Sequence, residues 1–235
     1  LGWLGTAKAQ AELDSLWRVW QDPDQPDSAR ARALGKYTWT KHLYAKPDSA
    51  EYFSEVMYSF SQDHGLKKWM GWALLGQGVS YKIRGANAKA LDYWLRAEAL
   101  SRVAGDAAGV AGAMNNIGLL YFELGDLAHA LDYHRQSLSM RVQCNDSIGV
   151  GASLQSIGDI HRLQGRLDSA LSYQHRALAH NERIRFRMGI GIAHKCLGDI
   201  FRDQRKYATA LDHYAQCVSI VREEGNVLTL SETLT

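Results

Sequence analysis

Apolar residues recur along the chain at the three- and four-residue spacing of helices, and this helical pattern repeats at a constant step along the sequence. A short apolar face over residues 11–22 predicts a lead-in helix. From residue 67 onward the apolar positions predict four pairs of helices, at 67–84 with 87–104, 107–124 with 127–144, 147–164 with 167–184, and 187–204 with 207–224. All three prolines lie before residue 48, so no proline interrupts these pairs.

Two small residues keep the same register through the four pairs of helices. The first is a glycine in each first helix, and the second is an alanine in each second helix. They are Gly78, Gly118, Gly158 and Gly198, and Ala90, Ala130, Ala170 and Ala210. Two independent markers in one register indicate an internal repeat. Small residues at these positions are expected to let the two helices of a pair approach closely.

A degenerate first copy of the repeat is predicted at residues 27–66. Its two helices are separated by Pro47, and Asp48 with Glu51 three residues later predicts a capping box at the start of the second helix. Thr38 stands where the later copies have glycine. Terminal copies of a repeat are expected to differ from the others because one of their faces has no neighbour.

The resulting domain organisation has three parts. We predict a signal-peptide remnant at 1–9, a lead-in helix and linker at 10–26, and a repeat array at 27–235, with repeats at about 27–66, 67–106, 107–146, 147–186 and 187–226 and the start of a further repeat at 227–235.

The turn inside each pair carries a glycine in three of the four copies, at Gly85, Gly125 and Gly165. Glycine there predicts the left-handed backbone conformation that ends a helix. The last copy has Arg205 instead, which is expected to cost about 1 kcal/mol if its φ is positive.

The repeat unit resembles the tetratricopeptide repeat family over residues 28–235. Its first helix carries Met114, Ile117-Gly118 and Tyr121, and matching residues recur at Leu154, Ile157-Gly158 and His161, and at Leu197-Gly198 and Phe201. The aromatic position of the second helix is assigned to Trp94, Tyr133, Tyr173 and Tyr214. The resemblance implies an all-α fold, a right-handed α-α superhelix of helix-turn-helix repeats. The step of 40 between successive copies resembles variants found in large bacterial regulators and in kinesin light chains.

In that family, the first helices line a concave wall that binds peptides and proteins. The positions that the resemblance places on this wall are Asn115, Asn116, Phe122, Gln155, Asp159, Arg162, Lys195, Asp199 and Arg202, together with Leu75, Val79, Lys82 and Leu119. The three amide side chains are predicted to bind the backbone of an extended peptide. Arg162, Lys195 and Arg202 are predicted to bind an acidic group. The family's lysine and asparagine clamp for a C-terminal carboxylate is not reproduced.

The charged residues on this wall have a second interpretation. Asp159 with Arg162, and Asp199 with Arg202, have the i,i+3 spacing of ion pairs on a solvated helix face. Under that interpretation the charges have no ligand.

Composition and motifs argue against catalysis and against a cofactor. The net charge of +2 does not favour a nucleic-acid surface, and the nine histidines show no metal-ligand spacing, with His161 in an aromatic packing position. Cys144, Cys196 and Cys217 are interpreted as small apolar fillers. The chain contains no nucleophile motif and no phosphate-binding loop.

These observations favour a binding module that recognises a protein or extended peptide and performs no chemistry. The sequence Ala7-Lys8-Ala9 after an apolar stretch is typical of a signal-peptide cleavage site and predicts export, with a cytoplasmic location as the alternative. An exported array resembles the sensory regions of bacterial signalling proteins. Two further hypotheses are that the full-length protein is a histidine kinase, adenylate cyclase or DNA-binding regulator, or that it is an exported scaffold.

Overall fold

The computed structural model describes residues 2–43 and 45–223, with the backbone alone for residues 2–9. This part of the chain contains eleven helices and no strand. The helices are Gly2–Gln21 (α1), Asp27–Lys41 (α2), Pro47–Asp63 (α3), Lys67–Ile83 (α4), Asn87–Val103 (α5), Ala107–Glu123 (α6), Leu127–Gln143 (α7), Ser147–Leu163 (α8), Leu167–Arg183 (α9), Arg187–Asp203 (α10) and Tyr207–Glu223 (α11). The predicted all-α fold of paired helices is confirmed. None of these helices is long and apolar enough to cross a membrane.

The boundaries of the described helices differ from the predictions mainly at the N-terminal end of the chain. The lead-in helix predicted over 11–22 begins much earlier, at Gly2. The paired helices end one residue before the predicted positions. The repeat predicted to start at 227–235 lies outside the described residues.

A left-handed turn follows each helix from α3 to α10. The predicted turns at Gly85, Gly125 and Gly165 are confirmed with φ of 76°, 78° and 71°, and Arg205 adopts the same conformation with φ of 60°. The turns between repeats have it too, at Gly65, Gly105, Asn145 and Arg185. From α4 onward the chain therefore alternates helices of 17 residues with short turns of one kind.

The predicted capping box at the start of α3 is wrong. Pro47 occupies the first turn and Lys46 precedes the helix, with no side chain capping it. Proline fixes φ at a helical value and begins the helix one residue before Asp48. Glu51 pairs instead with Arg84 at the end of α4.

The chain forms two compact units, Leu1–Leu120 and Tyr121–Thr235. In the first unit, the lead-in helix packs onto the first repeat through aromatic rings. The ring of Trp17 lies 5.0 Å from that of Tyr37, and the ring of Trp20 lies 4.9 Å from that of Phe60. Buried Leu34 of α2 belongs to the same cluster. Helix α1 thus covers apolar surface of the first repeat.

In the second unit, each helix packs against the next from α7 to α11, and the first helices α8 and α10 also contact each other. Ala130, Ile157 and Ile160 form a buried cluster against which Tyr121 and Tyr173 pack.

Ring pairs join the two helices of each repeat at a fixed position. They are Tyr81 with Tyr93, Tyr121 with Tyr133, His161 with Tyr173, and Phe201 with His213, with centroids 5.1 to 5.7 Å apart and nearly parallel planes. The aromatic packing position predicted for His161 is confirmed.

In three of these repeats, the residue that follows the second-helix ring faces the repeat glycine. A Cβ built on Gly158 would lie 2.7 Å from Nε2 of Gln174, one on Gly198 would lie 2.6 Å from Cε1 of Tyr214, and one on Gly78 would overlap Trp94. The sequence assignment of Trp94 and Tyr214 to one position with Tyr133 and Tyr173 is therefore wrong. Adjacent helical residues point about 100° apart, so the two sets pack against different neighbours.

The alanines of the repeat complete the contact between paired helices. Ala90, Ala130 and Ala170 have no exposed surface, and Ala210 is 3% exposed. Buried positions without room for a larger side chain explain why a small residue recurs there.

Candidate functional site

Two of the predicted peptide-binding amides lie on α6 in the first unit. Asn115 and Asn116 are both half-buried. Among the residues that the structure describes, neither side chain makes a hydrogen bond. Their donors and acceptors are therefore available to a ligand. Phe122, at the end of the same helix, packs against the core of the second unit and has a structural role.

Several other predicted wall positions belong to the core. Leu75 and Val79 on α4 are 1% and 8% exposed, while Leu119 is 40% exposed. Lys82 on the same helix as Leu75 is half-buried. The first helices thus present only part of the predicted set to solvent.

The side chain of Gln155 forms a hydrogen bond inside the protein and does not face solvent. Its side chain is buried, and its Nε2 donates a hydrogen bond to the backbone oxygen of Gly189 at 2.9 Å. Gln174 in turn donates to the backbone oxygen of Gln155 at 3.0 Å. The structure therefore gives Gln155 a role in joining α8 to α9 and α10, in place of the predicted contact with a peptide.

Asp159 on α8 is a half-buried carboxylate with two neutral donors. Gln174 Nε2 lies 3.3 Å from its Oδ1, and the thiol of Cys196 donates to its Oδ2 at 3.7 Å. Burial raises the pKa of Asp159 to about 6, and the nearby Asp199 carboxylate adds to this, while Arg162 lowers it. Cys196 is thus a hydrogen-bond donor as well as the predicted apolar filler, and burial raises the pKa of its thiol.

Three side chains contact the carboxylate of Asp199 on α10. The Tyr214 hydroxyl donates to its Oδ1 at 2.8 Å, Arg202 Nη1 lies 3.3 Å from the same oxygen, and Lys195 Nζ lies 3.8 Å from Oδ2. Burial and the bond to Asp199 raise the pKa of Tyr214 to about 12. Arg202 and Lys195 remain about half and two-fifths exposed, so both cations face solvent while held by one carboxylate.

Arg162 makes an ion pair between repeats. Its Nη1 lies 2.8 Å from Oδ2 of Asp203 on α10, and this contact raises the pKa of the guanidinium above its ordinary value despite burial. Arg202 contacts Asp203 as well, at 3.3 Å. The i,i+3 interpretation therefore holds for Asp199 with Arg202 but not for Asp159 with Arg162, because Arg162 turns to the next repeat.

We name Asp159, Arg162, Lys195, Asp199, Arg202 and Asp203 the charged cluster. It lies wholly in the second unit and on its first helices. Three cations face three carboxylates, of which Asp159 is mostly ionised at pH 7 and becomes half protonated only near pH 6. The cluster is therefore suited to binding an acidic group through the exposed Lys195 and Arg202.

A cavity in the first unit was missed by the sequence analysis. Its volume is about 300 Å³, and its lining residues, which we name the tryptophan pocket, are Arg32, Gly35, Lys36, Trp39, Thr40, Met57, Lys68, Trp69 and Trp72. Gly35 and Trp39 lie one full repeat before Leu75 and Val79, so they occupy predicted wall positions. Extending the wall positions back by one repeat would have found them.

Histidines form no metal cluster in the described part of the chain. His194 and His213 approach through their Nδ1 atoms at 3.0 Å, and burial is the main cause that lowers both of their pKa values. His134 is fully buried, and burial lowers its pKa to about 4. These rings remain neutral at neutral pH and act as packing groups.

A family model described as Tetratricopeptide repeat matches residues 69–141 and 149–223. The two matches cover more than half of the chain. A search of curated proteins found no matching sequence.

Solved structures share the fold at low sequence identity. BtubC (BKLC) from P. vanneervenii has a TM-score of 0.71 at 16% identity, covering 94% of this chain and 91% of that one. Aspartyl phosphate phosphatase F from Bacillus subtilis has a TM-score of 0.70 at 18% identity, covering 88% of this chain and 56% of its own. A Rap protein complexed with competence and sporulation factor has a TM-score of 0.64 at 14% identity, covering 87% of this chain and 65% of its own. The likeness shows a solenoid of helical repeats.

Proposed function

The chain belongs to the tetratricopeptide repeat family, and we propose that it binds an extended, acidic peptide segment of a partner protein along its first helices. It performs no chemistry of its own in this proposal and needs no cofactor. A protein-binding helical repeat is the general function that the repeats and the related folds support. The face, the ligand charge and the residues are the specific parts of the proposal.

The observation that supports this proposal most strongly is that Lys195 and Arg202 are exposed and contact the same carboxylate. Both cations contact Asp199 and remain exposed, so they are positioned where an acidic group can reach them from solvent. The Tyr214 hydroxyl and the Arg202 guanidinium contact the same carboxylate oxygen, which limits the movement of both. Positioned charges lose less conformational freedom when a ligand binds.

Selection from a random peptide library on the immobilised chain tests the proposal. We expect the selected peptides to be acidic and to bind about tenfold more weakly to a variant with Lys195→Glu and Arg202→Glu, because two attractive contacts become repulsive. Asn115→Ala is expected to weaken binding severalfold and to leave the melting temperature unchanged, because its amide has no partner among the described residues of the fold.

The matched control replaces two exposed arginines that do not lie on the first helices, Arg135→Glu on α7 and Arg166→Glu before α9. It changes the net charge by the same amount and should leave the affinity within about twofold of the wild type. Equal weakening in the control, or a library that yields no binder, would contradict the proposal.

We further propose that the array is the sensory or regulatory part of a larger bacterial signalling protein and lies outside the cytoplasmic membrane. The sequence Ala7-Lys8-Ala9 supports export. The chain covers 56% of aspartyl phosphate phosphatase F and 65% of a Rap protein complexed with competence and sporulation factor, which supports a place for this fold in longer proteins. The full open reading frame tests this: an apolar span and an output domain would support it, and further repeats before a stop codon would contradict it.

A further inference from the structure

The tryptophan pocket is lined by a glycine at a wall position of the first repeat. Gly35 stands where the later repeats carry Leu75, Asn115, Gln155 and Lys195. A Cβ built on Gly35 would meet the Sδ of Met57 at 3.2 Å, so even an alanine would press on the floor of the cavity. Met57 therefore lies directly against Gly35, and a larger residue at position 35 would displace a side chain that lines the pocket.

Aromatic side chains form the walls of this space and are held in place. The rings of Trp39 and Trp72 meet edge to face, with centroids 6.4 Å apart. The indole nitrogen of Trp72 donates to Oδ2 of the buried Asp106 at 2.7 Å, which fixes that ring. Trp69 lies beside them in the lining. Rigid aromatic rings around a cavity of this volume suit one large apolar or aromatic side chain.

The rim of the pocket is basic. Arg32, Lys36 and Lys68 line it, and no acidic side chain does so in the described part of the chain. Lys68 is partly neutralised, because its Nζ lies 3.5 Å from Oδ1 of Asp106. Arg32 and Lys36 are both exposed, and neither has an ion-pair partner among the described residues. Two unpaired cations beside an apolar cavity are complementary to a ligand that carries negative charge next to an apolar group.

We propose that the tryptophan pocket binds a peptide that inserts one large apolar side chain between the tryptophans and places carboxylates against Arg32 and Lys36. This inference rests on the proposed peptide-binding function and names the ligand chemistry of the first unit. Burial of the apolar side chain in the pocket contributes most of the affinity. The flanking carboxylates orient the peptide and make the pocket select acidic segments over neutral or basic ones.

Fluorescence anisotropy with a short fluorescein-labelled peptide tests this. In the probe, glutamates flank a central phenylalanine; the matched probes have alanine in place of phenylalanine, or lysines in place of the glutamates. We expect the phenylalanine probe to bind about tenfold more tightly than the alanine probe, and the lysine probe not to bind.

Two variants test whether the probe binds in the tryptophan pocket. Arg32→Glu with Lys36→Glu, both on exposed side chains, should weaken the phenylalanine probe about tenfold or more. Gly35→Leu restores the residue type of the next repeat and should abolish the preference for phenylalanine over alanine. The variant with Arg135→Glu and Arg166→Glu serves again as the charge control.

Equal binding of the phenylalanine and alanine probes, or unchanged binding to the Arg32 and Lys36 variant, would overturn the inference. If binding instead depends on Lys195 and Arg202 alone, the proposed function stands and the pocket is not its site. If neither the probes nor a peptide library yields a binder, both are overturned.

Discussion

At the level of single residues, two adjacent positions of each second helix have different roles. Tyr133 and Tyr173 stack on rings of their partner helices, whereas Gln174 and Tyr214 cover the repeat glycines. Because aromatic residues occur at both positions, the sequence analysis assigned them to a single position of the repeat. Spacing alone cannot separate neighbouring residues whose partners lie on another helix.

The glycine contact gives a direct stability prediction. Gly198→Ala places a Cβ 2.6 Å from the Tyr214 ring, which is held by its bond to Asp199, so we expect a loss of about 2 kcal/mol in the free energy of unfolding. Gly112→Ala is the matched control, because its Cβ would meet only Leu75 at an ordinary 3.5 Å. It should gain about 1 kcal/mol from helix propensity. Urea denaturation that shifts both variants in the same direction would contradict the packing described here.

Asp159 provides a prediction of pH dependence. Its folded-state pKa of about 6 exceeds the ordinary value of 3.8, so the native state holds the proton more tightly than the unfolded chain. Its contribution to stability is therefore present below about pH 4 and is lost as the pH rises to about 6. Asp159→Asn should raise the free energy of unfolding at pH 7 by about 2 kcal/mol and have little effect at low pH.

The control for that measurement is Asp132→Asn, which removes the same charge from an exposed position on α7. It should change stability by less than about 0.5 kcal/mol at either pH. A pH-independent effect of Asp159→Asn would show that the carboxylate is not destabilised by its surroundings.

At the level of helices and turns, most of the structure was predictable from local chemistry. Glycine at 85, 125 and 165 indicated the left-handed turns within repeats, and apolar periodicity indicated the paired helices. The turns between repeats were harder to recognise, since Asn145 and Arg185 adopt the same conformation without being glycine. Their conformation follows from the packing of the helices on either side.

The turns carry their own stability prediction. Arg205 has a φ of 60°, where a Cβ is disfavoured and glycine is not. Arg205→Gly should therefore stabilise the chain by about 1 kcal/mol in thermal or urea denaturation. Asn145→Gly should have a smaller effect, because asparagine tolerates this conformation better than arginine does. An unchanged or lower stability for Arg205→Gly would show that its side chain contributes more than the strain costs.

At the level of the whole molecule, the constant period predicted an array of repeats and the resemblance to tetratricopeptide repeats implied its fold, but neither predicted the site. A fixed period requires each repeat to bury its apolar face against the next, which leaves few possible folds. The polar contacts depend on partners far away in sequence. Gln155 bonds a backbone 34 residues later and Arg162 a carboxylate 41 residues later, so i,i+3 spacing within one helix misassigned Arg162.

The two units present different chemistry on their first helices. The first unit has an aromatic cavity with a basic rim, and the second has the charged cluster. The wall positions predicted from the sequence include Lys195 and Arg202 of the charged cluster, but they do not extend back to Gly35 and Trp39, which line the cavity.

Photocrosslinking of a library-selected peptide, followed by mass spectrometry of the crosslinked sites, tests the central claim most directly. If the first helices bind the ligand, the crosslinks will fall on α2, α4, α6, α8 and α10, at residues such as Asn116, Lys195 and Arg202. Crosslinks concentrated on the second helices α5, α7 and α9 would contradict this account and assign binding to the opposite face of the repeats.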